Sequence, residues 1–188
     1  MRDELNPPDR ERGFSLLYES VYADLHRFVQ RRAHPDQADD VVAETFLAVW
    51  RRYEAVPEES GDARAWIFGI ARNILLNTLR GEQRRQALGV RLAVAALAQA
   101  PGESMDVVLS RVDVGRAWCL LSDVHQEALG LAIFEDLNAT QAGLVLGISP
   151  VAFRLRLSRA RRTLRLLLEH VPQSPAAAGS ELMRTTTP

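Results

Sequence analysis

Apolar residues recur along this chain at the spacing of a helix rather than of a strand. Within residues 14–33, the apolar residues Leu17, Val21, Leu25 and Phe28 lie three or four positions apart, which places them on one helical face. Alternation of apolar and polar positions is nearly absent, and Gly and Pro are scarce inside the periodic segments. The pattern therefore predicts an all-α protein.

Breaks in the periodicity separate the helices of the first half of the chain. Pro35 ends the first helix, and a second helix is predicted over about 36–53. The loop sequence AVPEESGD follows, and Asp62 is predicted to cap a third helix that runs to about Arg85.

Composition then divides the chain into two small helical domains. The first covers residues 13–85 and the second covers residues 106–170. Residues 86–105 between them are small and rich in alanine, which predicts a flexible linker. Residues 171–188 have the composition of a disordered tail.

The net charge of the whole chain hides a strong local contrast. The 188 residues include 23 basic and 24 acidic ones, and the resulting net charge of −1 alone disfavours nucleic-acid binding. However, residues 140–170 carry six arginines and one acid, whereas residues 102–139 carry seven acids and two arginines. The C-terminal helix is therefore strongly basic. All basic residues are Arg and none is Lys. Arg suits phosphate binding, but the preference for Arg over Lys can reflect genome composition alone, so it is no evidence for nucleic-acid binding.

Several classes of protein are disfavoured by the same sequence. The single cysteine, Cys119, excludes an intrachain disulfide and a Cys-rich zinc site, and the four histidines lack metal-ligand spacing. Residues 1–12 do not resemble a signal peptide, and the most apolar stretch, 92–100, is too short to span a bilayer. No nucleophile elbow or phosphate-binding loop is present. We therefore expect a soluble, cytoplasmic protein that is not an enzyme and needs no cofactor or metal.

The segment NATQAGLVLGISPVAFRLRLSRARR predicts a helix-turn-helix. A short first helix covers residues 138–146, and Gly147 suits the left-handed position after its end. Ser149 followed by Pro150 is a strong start signal for the second helix. The connection is as tight as a helix-turn-helix requires.

The second helix of this motif separates apolar from basic residues. Its predicted buried face holds Phe153, Leu157, Ala160, Leu164 and Leu168. Its predicted DNA-binding residues are Ser149, Arg154, Ser158, Arg161, Arg162 and Arg165. Residues near the start of such a helix reach base edges and later ones hold phosphates, so Arg154 is the best candidate for a base contact. A merely solvated face explains a single Arg better, but six arginines after a capped turn favour DNA. Leu155 points to the same side and either touches a thymine methyl or indicates that the helix is rotated.

The second helix of the first domain offers a candidate protein-binding face. Its apolar stripe holds Val42, Phe46, Val49, Trp50 and Tyr53. The acids Asp39, Asp40 and Glu44 lie beside that stripe. Such a face suits a basic protein partner and repels DNA, although an ordinary solvated surface explains the spacing equally well.

The third helix offers a candidate face for unpaired bases. Its predicted buried stripe holds Ile67, Ile70, Ala71 and Ile74. The adjacent face holds Trp66, Asn73, Asn77, Arg80 and Arg84. An aromatic ring, two amides and terminal arginines suit base stacking and backbone binding. For Trp66 alone, a place in the core is the commoner alternative.

These segments together resemble the extracytoplasmic-function (ECF) branch of the bacterial sigma-70 family of RNA polymerase sigma factors. The sequence DDVVAETFLAVWRRY resembles their core-polymerase-binding helix, and RAWIFGIARN resembles the helix that opens and reads the minus-ten element. LGISPVAFRLRLSRAR is similar to the helix-turn-helix that reads the minus-thirty-five element. The resemblance covers residues 15–85 and 106–170, with the three motifs in the expected order.

The resemblance implies a role for each face. It implies that α-helical surface residues of this chain dock on the clamp helices of the largest core subunit of the polymerase. These residues are Asp39, Asp40, Glu44, Phe46 and Trp50. Trp66 and Asn73 match the region that captures a flipped non-template base. The resemblance also implies that the beta flap of the polymerase contacts this chain. The resemblance also implies promoter DNA and an anti-sigma factor as partners, and no covalent catalysis. A stand-alone helix-turn-helix regulator is the alternative reading.

The chain departs from the family's usual sequence in the first helix of the motif. Gly143 stands where Ala is usual, and Thr140, Gln141 and Leu144 stand where acidic residues are usual.

The uneven distribution of acidic and basic residues along the chain predicts that the free chain binds DNA weakly and becomes specific only on the polymerase.

Overall fold

The computed structural model describes residues 7–78, 88–90 and 105–170. Within these residues the chain forms seven α-helices, two short 3-10 turns and no strand, which confirms the all-α prediction. The helices are α1 (Pro7–Gln30), α2 (Ala38–Arg51), α3 (Ser60–Thr78), α4 (Met105–Cys119), α5 (Asp123–Ile133), α6 (Ala139–Leu146) and α7 (Pro150–His170). The predicted tail, residues 171–188, lies outside the described residues.

The apolar stripe of α1 forms one side of the core, as its spacing predicts. Val21, Leu25 and Phe28 are buried, and Leu17 is half-buried. The ring of Phe28 stacks on that of Phe68 in α3, with 4.6 Å between the centroids. The helix begins at Pro7, about two turns before the predicted start at residue 14, and its first turns are mostly polar, so apolar periodicity does not mark them.

The prediction that Asp62 caps α3 is wrong. The helix begins at Ser60, and the amide of Ala63 already donates to the carbonyl oxygen of Glu59 at 2.8 Å. Asp62 therefore lies in the first turn, where the unpaired amides of a helix favour a negative charge. The predicted end of this helix at Arg85 lies outside the described residues.

The helix-turn-helix has the predicted geometry. The Asn138 side chain accepts hydrogen bonds from the amides of Thr140 and Gln141, and Gln141 returns one to the amide of Asn138, which forms a capping box at the start of α6. Gly147 ends the helix at a φ of +66°. Ser149 Oγ then accepts from the amide of Ala152 at 3.2 Å and caps α7.

Gly143 lets the two helices of the motif come close together. A Cβ atom at this position would lie 2.7 Å from the carbonyl oxygen of Ile148 and 3.4 Å from the nitrogen of Pro150. The turn is therefore too close for a side chain here, which gives the departure from the usual Ala a structural reason.

The buried face of α7 follows the prediction except at its end. Phe153 and Ala160 are buried, and Leu157 and Leu164 are half-buried. Leu168, predicted to be buried, is exposed. The packed face continues from Leu164 to Leu167, which leaves Leu168 rotated outward by about 100°.

The two predicted domains pack against each other. One cluster of buried side chains includes residues of α1, α2 and α3 together with Ala142, Val145 and Phe153 of the helix-turn-helix. A second cluster lies between α4, α5 and α7. Of the predicted linker, residues 88–90 are described, with Leu88 in the first cluster and Val90 in the second.

Candidate polymerase-binding and nucleic-acid interfaces

A groove lined by aromatic side chains runs between α1 and α2. It encloses about 590 Å³, and its lining includes Tyr18, Tyr22, Phe46, Leu47 and Trp50. Leu47 is 56% exposed and the two tyrosines are 39% exposed, so apolar surface faces solvent along the groove. Phe46 is buried with its ring centroid 4.5 Å from that of Tyr18, and it forms the floor. An open apolar groove of this kind suits an apolar side chain of a partner.

The predicted acidic residues lie on the exposed side of α2. Asp39, Asp40 and Glu44 are all exposed, as their position beside the apolar stripe predicts. Asp39 lines the groove itself and lies 3.1 Å from Nε2 of His26 in α1. The groove therefore combines an apolar floor with an acidic edge.

Trp50 is only partly available at this surface. The guanidinium of Arg10 lies 4.7 Å from its ring centroid, and Arg10 also donates to the carbonyl oxygen of Trp50 at 2.7 Å. Phe14 meets the same ring edge-on at 5.1 Å. The start of α1 thus covers part of Trp50, a contact that the periodicity of α2 alone does not reveal.

Sequence reasoning missed Tyr18, Tyr22 and Leu47 at this groove. The available signal was positional: Tyr18 and Tyr22 directly follow Leu17 and Val21 of the buried stripe. That spacing places both tyrosines at the edge of the stripe, where aromatic residues remain half-exposed.

The candidate base-binding face of α3 is present in part. Trp66 is half-buried and packs against the first core cluster, while Asn73 and Asn77 are exposed. Arg80 and Arg84 lie outside the described residues. The described portion of this face therefore offers two exposed amides and a half-buried indole ring on the same helix.

The candidate DNA-binding face of α7 is open to solvent. Its exposed residues are Ser149, Arg154, Ser158, Arg161, Arg162 and Arg165. Among the described residues, none of these arginines lies within ion-pair distance of an acidic side chain. Leu155 is 52% exposed and lies on this side of the helix, as predicted. The face therefore presents uncompensated positive charge with one apolar side chain near its start.

In the described part of the chain, no group of three or more His, Cys, Asp or Glu residues is arranged to hold a metal ion. None of the described helices has the length and hydropathy needed to cross a bilayer.

Known proteins resemble this chain over most of its length. The sigma-70 region 2 family matches residues 17–85. The ECF RNA polymerase sigma factor SigL of Mycobacterium tuberculosis is 30% identical over 156 residues, which cover 82% of this chain and 88% of SigL. This chain belongs to the ECF sigma factors. As such it binds core RNA polymerase and directs transcription initiation at promoters.

Other sigma factors extend the similarity. The ECF sigma factor BldN of Streptomyces coelicolor is 27% identical over 159 residues, which cover 83% of this chain and 60% of BldN. The structure of CnrH in complex with the cytosolic domain of CnrY matches with a TM-score of 0.57 and 26% identity, over 85% of this chain and 89% of CnrH. The sigma factor RpoE, solved with the anti-sigma factor NepR from Bartonella quintana, has a TM-score of 0.54 and 22% identity, over 85% of this chain and 96% of RpoE. That last likeness concerns the fold alone.

Buried ion pairs join the two halves of this sigma factor. Arg72 of α3 donates through Nε to Glu127 of α5 at 2.7 Å and through Nη2 at 3.2 Å. Arg32, after α1, lies 3.0 Å from Glu135, and their side chains are 0% and 3% exposed. Arg64 of α3 also donates to the carbonyl oxygen of Glu135.

Burial makes the environment of Arg32 unfavourable for a charge. Desolvation lowers the pKa of its guanidinium below the ordinary value, while the carboxylate of Glu135 acts in the opposite direction. Among the described residues, Nε and Nη2 of Arg32 have no hydrogen-bond partner. Its contact is thus only partly satisfied, which limits how much it stabilises the packing of the two halves.

Proposed function

We propose that this sigma factor docks on core polymerase through the groove between α1 and α2. The observation that carries the proposal is the combination of exposed apolar and acidic groups, with Leu47 at the groove and Asp40 and Glu44 exposed on the same helix. The clamp helices of the largest core subunit would supply apolar and basic side chains. Phe46 forms the floor, and the exposed edge of Trp50 contributes one end.

We propose that α3 then engages the minus-ten element. Asn73 and Asn77 are exposed and hydrogen-bond base edges, and Trp66 stacks on or next to the extruded base. Arg80 and Arg84 hold the backbone beyond them. Capturing the base offsets part of the unstacking cost, which is a few kcal/mol.

We propose that α7 reads the minus-thirty-five element in the major groove. Arg154 lies one turn into the helix, the position from which such helices reach base edges. Ser149, Ser158 and the later arginines, Arg161, Arg162 and Arg165, hold phosphates. Leu155 is placed to contact a thymine methyl, and the beta flap of polymerase supports this domain.

We also propose a regulatory partner and a cellular compartment for this chain. The solved relatives CnrH and RpoE are in complex with CnrY and with the anti-sigma factor NepR respectively, and we propose that an anti-sigma factor also holds this chain. The chain acts in the cytoplasm, catalyses no covalent step itself and leaves RNA synthesis to the polymerase.

A charge reversal at the groove tests the docking face. Asp39 lines the groove, and Asp39→Arg places a cation where basic polymerase side chains are expected, so we expect core affinity to fall at least tenfold, most strongly at low salt. Glu19→Arg is the matched control, because Glu19 is an exposed acid of α1 outside the groove lining. Binding of labelled sigma factor to core is measured by fluorescence anisotropy. Equal losses in both variants would refute the assignment.

A transcription assay tests the function as a whole. The purified chain is added to core polymerase with a promoter that core alone ignores, and we expect specific initiation. Specific duplex binding without any initiation would instead favour the stand-alone regulator.

A further inference from the structure

The start of α7 exposes two neighbouring apolar side chains. Val151 is 66% exposed and Leu155 is 52% exposed, and both lie in the first two turns of the helix. Side chains four residues apart are neighbours on a helix surface, with about 5–6 Å between their Cβ atoms. Single exposed apolar residues are ordinary on protein surfaces. An adjacent pair at the start of the second helix of a helix-turn-helix instead indicates a contact surface, because this part of the helix faces the partner.

The buried residues of α7 fix the direction in which this apolar pair points. Phe153 and Ala160 are fully buried and define the side of the helix that packs against its neighbours. At about 100° per residue, Val151 lies about 180° around the helix from Ala160, and both Val151 and Leu155 lie about 160° from Phe153. The apolar pair therefore occupies the centre of the outward side. The start of α7 has the predicted rotation, and Leu155 belongs to the outward side itself.

Arginines flank the apolar pair on both sides. By the same count, Arg154 lies about 70° to one side of the outward centre and Arg159 lies about 70° to the other side. Both arginines are exposed. Among the residues that the structure describes, neither lies within ion-pair distance of a carboxylate. The outward side thus has an apolar centre between two uncompensated positive charges.

These surroundings determine which partner the apolar pair fits. An apolar protein surface would cover Val151 and Leu155 but would supply no anions for the arginines beside them. The major groove of DNA has phosphates along both of its walls, and thymine presents a C5 methyl group at its floor. Duplex DNA therefore matches both the charge and the apolar centre of this face.

The chemistry of the apolar pair also determines which bases it accepts. Aliphatic side chains neither donate nor accept hydrogen bonds, so they would bury the polar major-groove edge of a purine without a partner, which is unfavourable. A thymine instead packs its methyl group against them. Two Cβ atoms about 5–6 Å apart span one to two steps of a duplex that rises about 3.4 Å per base pair. The pair therefore fits two thymines that lie one or two base pairs apart.

We propose that Val151 and Leu155 are specificity-determining residues that read the minus-thirty-five element through the C5 methyl groups of two pyrimidines, one or two base pairs apart. The proposal rests on the proposed function of α7 and names the chemical group that this helix recognises. Arg154 and Arg159 hold the DNA on either side of the apolar pair. Because 5-methylcytosine carries the same methyl group, this surface also distinguishes methylated from unmethylated cytosine at the two positions.

Replacement of thymine by deoxyuridine tests the proposal on the DNA. Holoenzyme assembled from core polymerase and the full chain first selects its binding sequence from random-sequence duplexes, and permanganate footprinting locates the opened region. Each thymine upstream of that region is then replaced in turn by deoxyuridine, which lacks the C5 methyl group and keeps every hydrogen-bonding group. We expect two positions, one or two base pairs apart, at which holoenzyme binding weakens about fourfold, since a buried methyl group contributes about 0.8 kcal/mol. At the same positions, 5-methylcytosine should bind more tightly than cytosine by a similar factor.

Alanine variants assign each methyl group to one side chain. Val151→Ala and Leu155→Ala shorten exposed side chains and introduce the best helix former, so we expect both to fold, which circular dichroism checks. Each variant should abolish the effect of deoxyuridine at one of the two positions and retain it at the other. Leu166→Ala is the matched control, because Leu166 is a 47% exposed leucine of the same helix, about 16 Å further from its start than Leu155. The control should retain the fourfold effect at both positions.

The possible failures of this experiment are distinguishable. If deoxyuridine has no effect at any upstream position while holoenzyme still initiates specifically, the methyl recognition is wrong and the proposed function stands. Effects of deoxyuridine that persist unchanged in both Val151→Ala and Leu155→Ala would also overturn the proposal, because other residues would then recognise the methyl groups. Reduced initiation in these variants with unchanged DNA affinity would show that the apolar pair contacts a protein. If holoenzyme selects no sequence and does not initiate, the proposed function itself fails.

Discussion

The Arg72–Glu127 pair gives the sharpest stability prediction. Its two hydrogen bonds, at 2.7 and 3.2 Å, join a guanidinium that is 9% exposed to a carboxylate that is 1% exposed. Glu127→Ala removes the buried carboxylate with which this cation pairs, which costs about 3–5 kcal/mol of unfolding free energy. For a folded part of this size, each kcal/mol shifts the melting temperature by about 2–4 °C, so we expect a drop of roughly 6–20 °C.

Two comparisons make this prediction refutable. The double variant Arg72→Met/Glu127→Leu removes both charges and keeps apolar volume, so it should recover most of the loss. Arg27→Ala breaks a pair whose side chains are 59% and 30% exposed, and should cost at most about 1 kcal/mol. Thermal unfolding is followed by circular dichroism and calorimetry. If Glu127→Ala is as mild as Arg27→Ala, or if the double variant is worse than Glu127→Ala, the reasoning is wrong.

Three further predictions concern the promoter-binding faces. Trp66→Ala should reduce promoter opening, measured by permanganate footprinting, more than core affinity; a parallel loss of both with a lower melting temperature would show a purely structural side chain. Arg154→Ala should weaken binding of holoenzyme to the minus-thirty-five element by about 1–3 kcal/mol if the contact is bidentate to a base, measured across a set of element sequences. Equal losses on every sequence would make Arg154 a phosphate contact. Gly143→Ala should destabilise the helix-turn-helix by about 1–3 kcal/mol in thermal melts, because its methyl would lie 2.7 Å from the carbonyl oxygen of Ile148; an unchanged melt would show that the turn relaxes freely.

Local signals in the sequence predicted local features well. The stripe through Val21, Leu25 and Phe28 is buried, and Gly147 takes the left-handed conformation at the end of α6. These features depend on helical spacing or on the conformational range of one residue. The positions of the three motifs, through their resemblance to ECF sigma factors, also led to the correct family.

Contacts between residues that lie far apart in the chain could not be predicted from the sequence. Helical periodicity identifies a buried face but does not identify what covers it, so neither the Arg72–Glu127 pair nor the docking of Leu88 was predictable. The prediction for Asp62 failed for a related reason. Capping propensity located an acid near the start of α3 but could not show that its carboxylate pairs with Gln141 of another helix. Leu168 was misplaced because a small change in helical spacing moves the packed face to Leu167.

The amide of Gln141 couples two positions that lie far apart in the chain. Its oxygen accepts from the amide of Asn138 within the capping box, while its nitrogen donates to Asp62. A glutamate here would keep the first bond, since a capping box accepts Gln or Glu, but would set two carboxylates against each other. Replacing one nitrogen atom by oxygen would therefore turn an attraction between α3 and α6 into a repulsion. Among related sigma factors, we expect an acid at one of these positions to exclude an acid at the other.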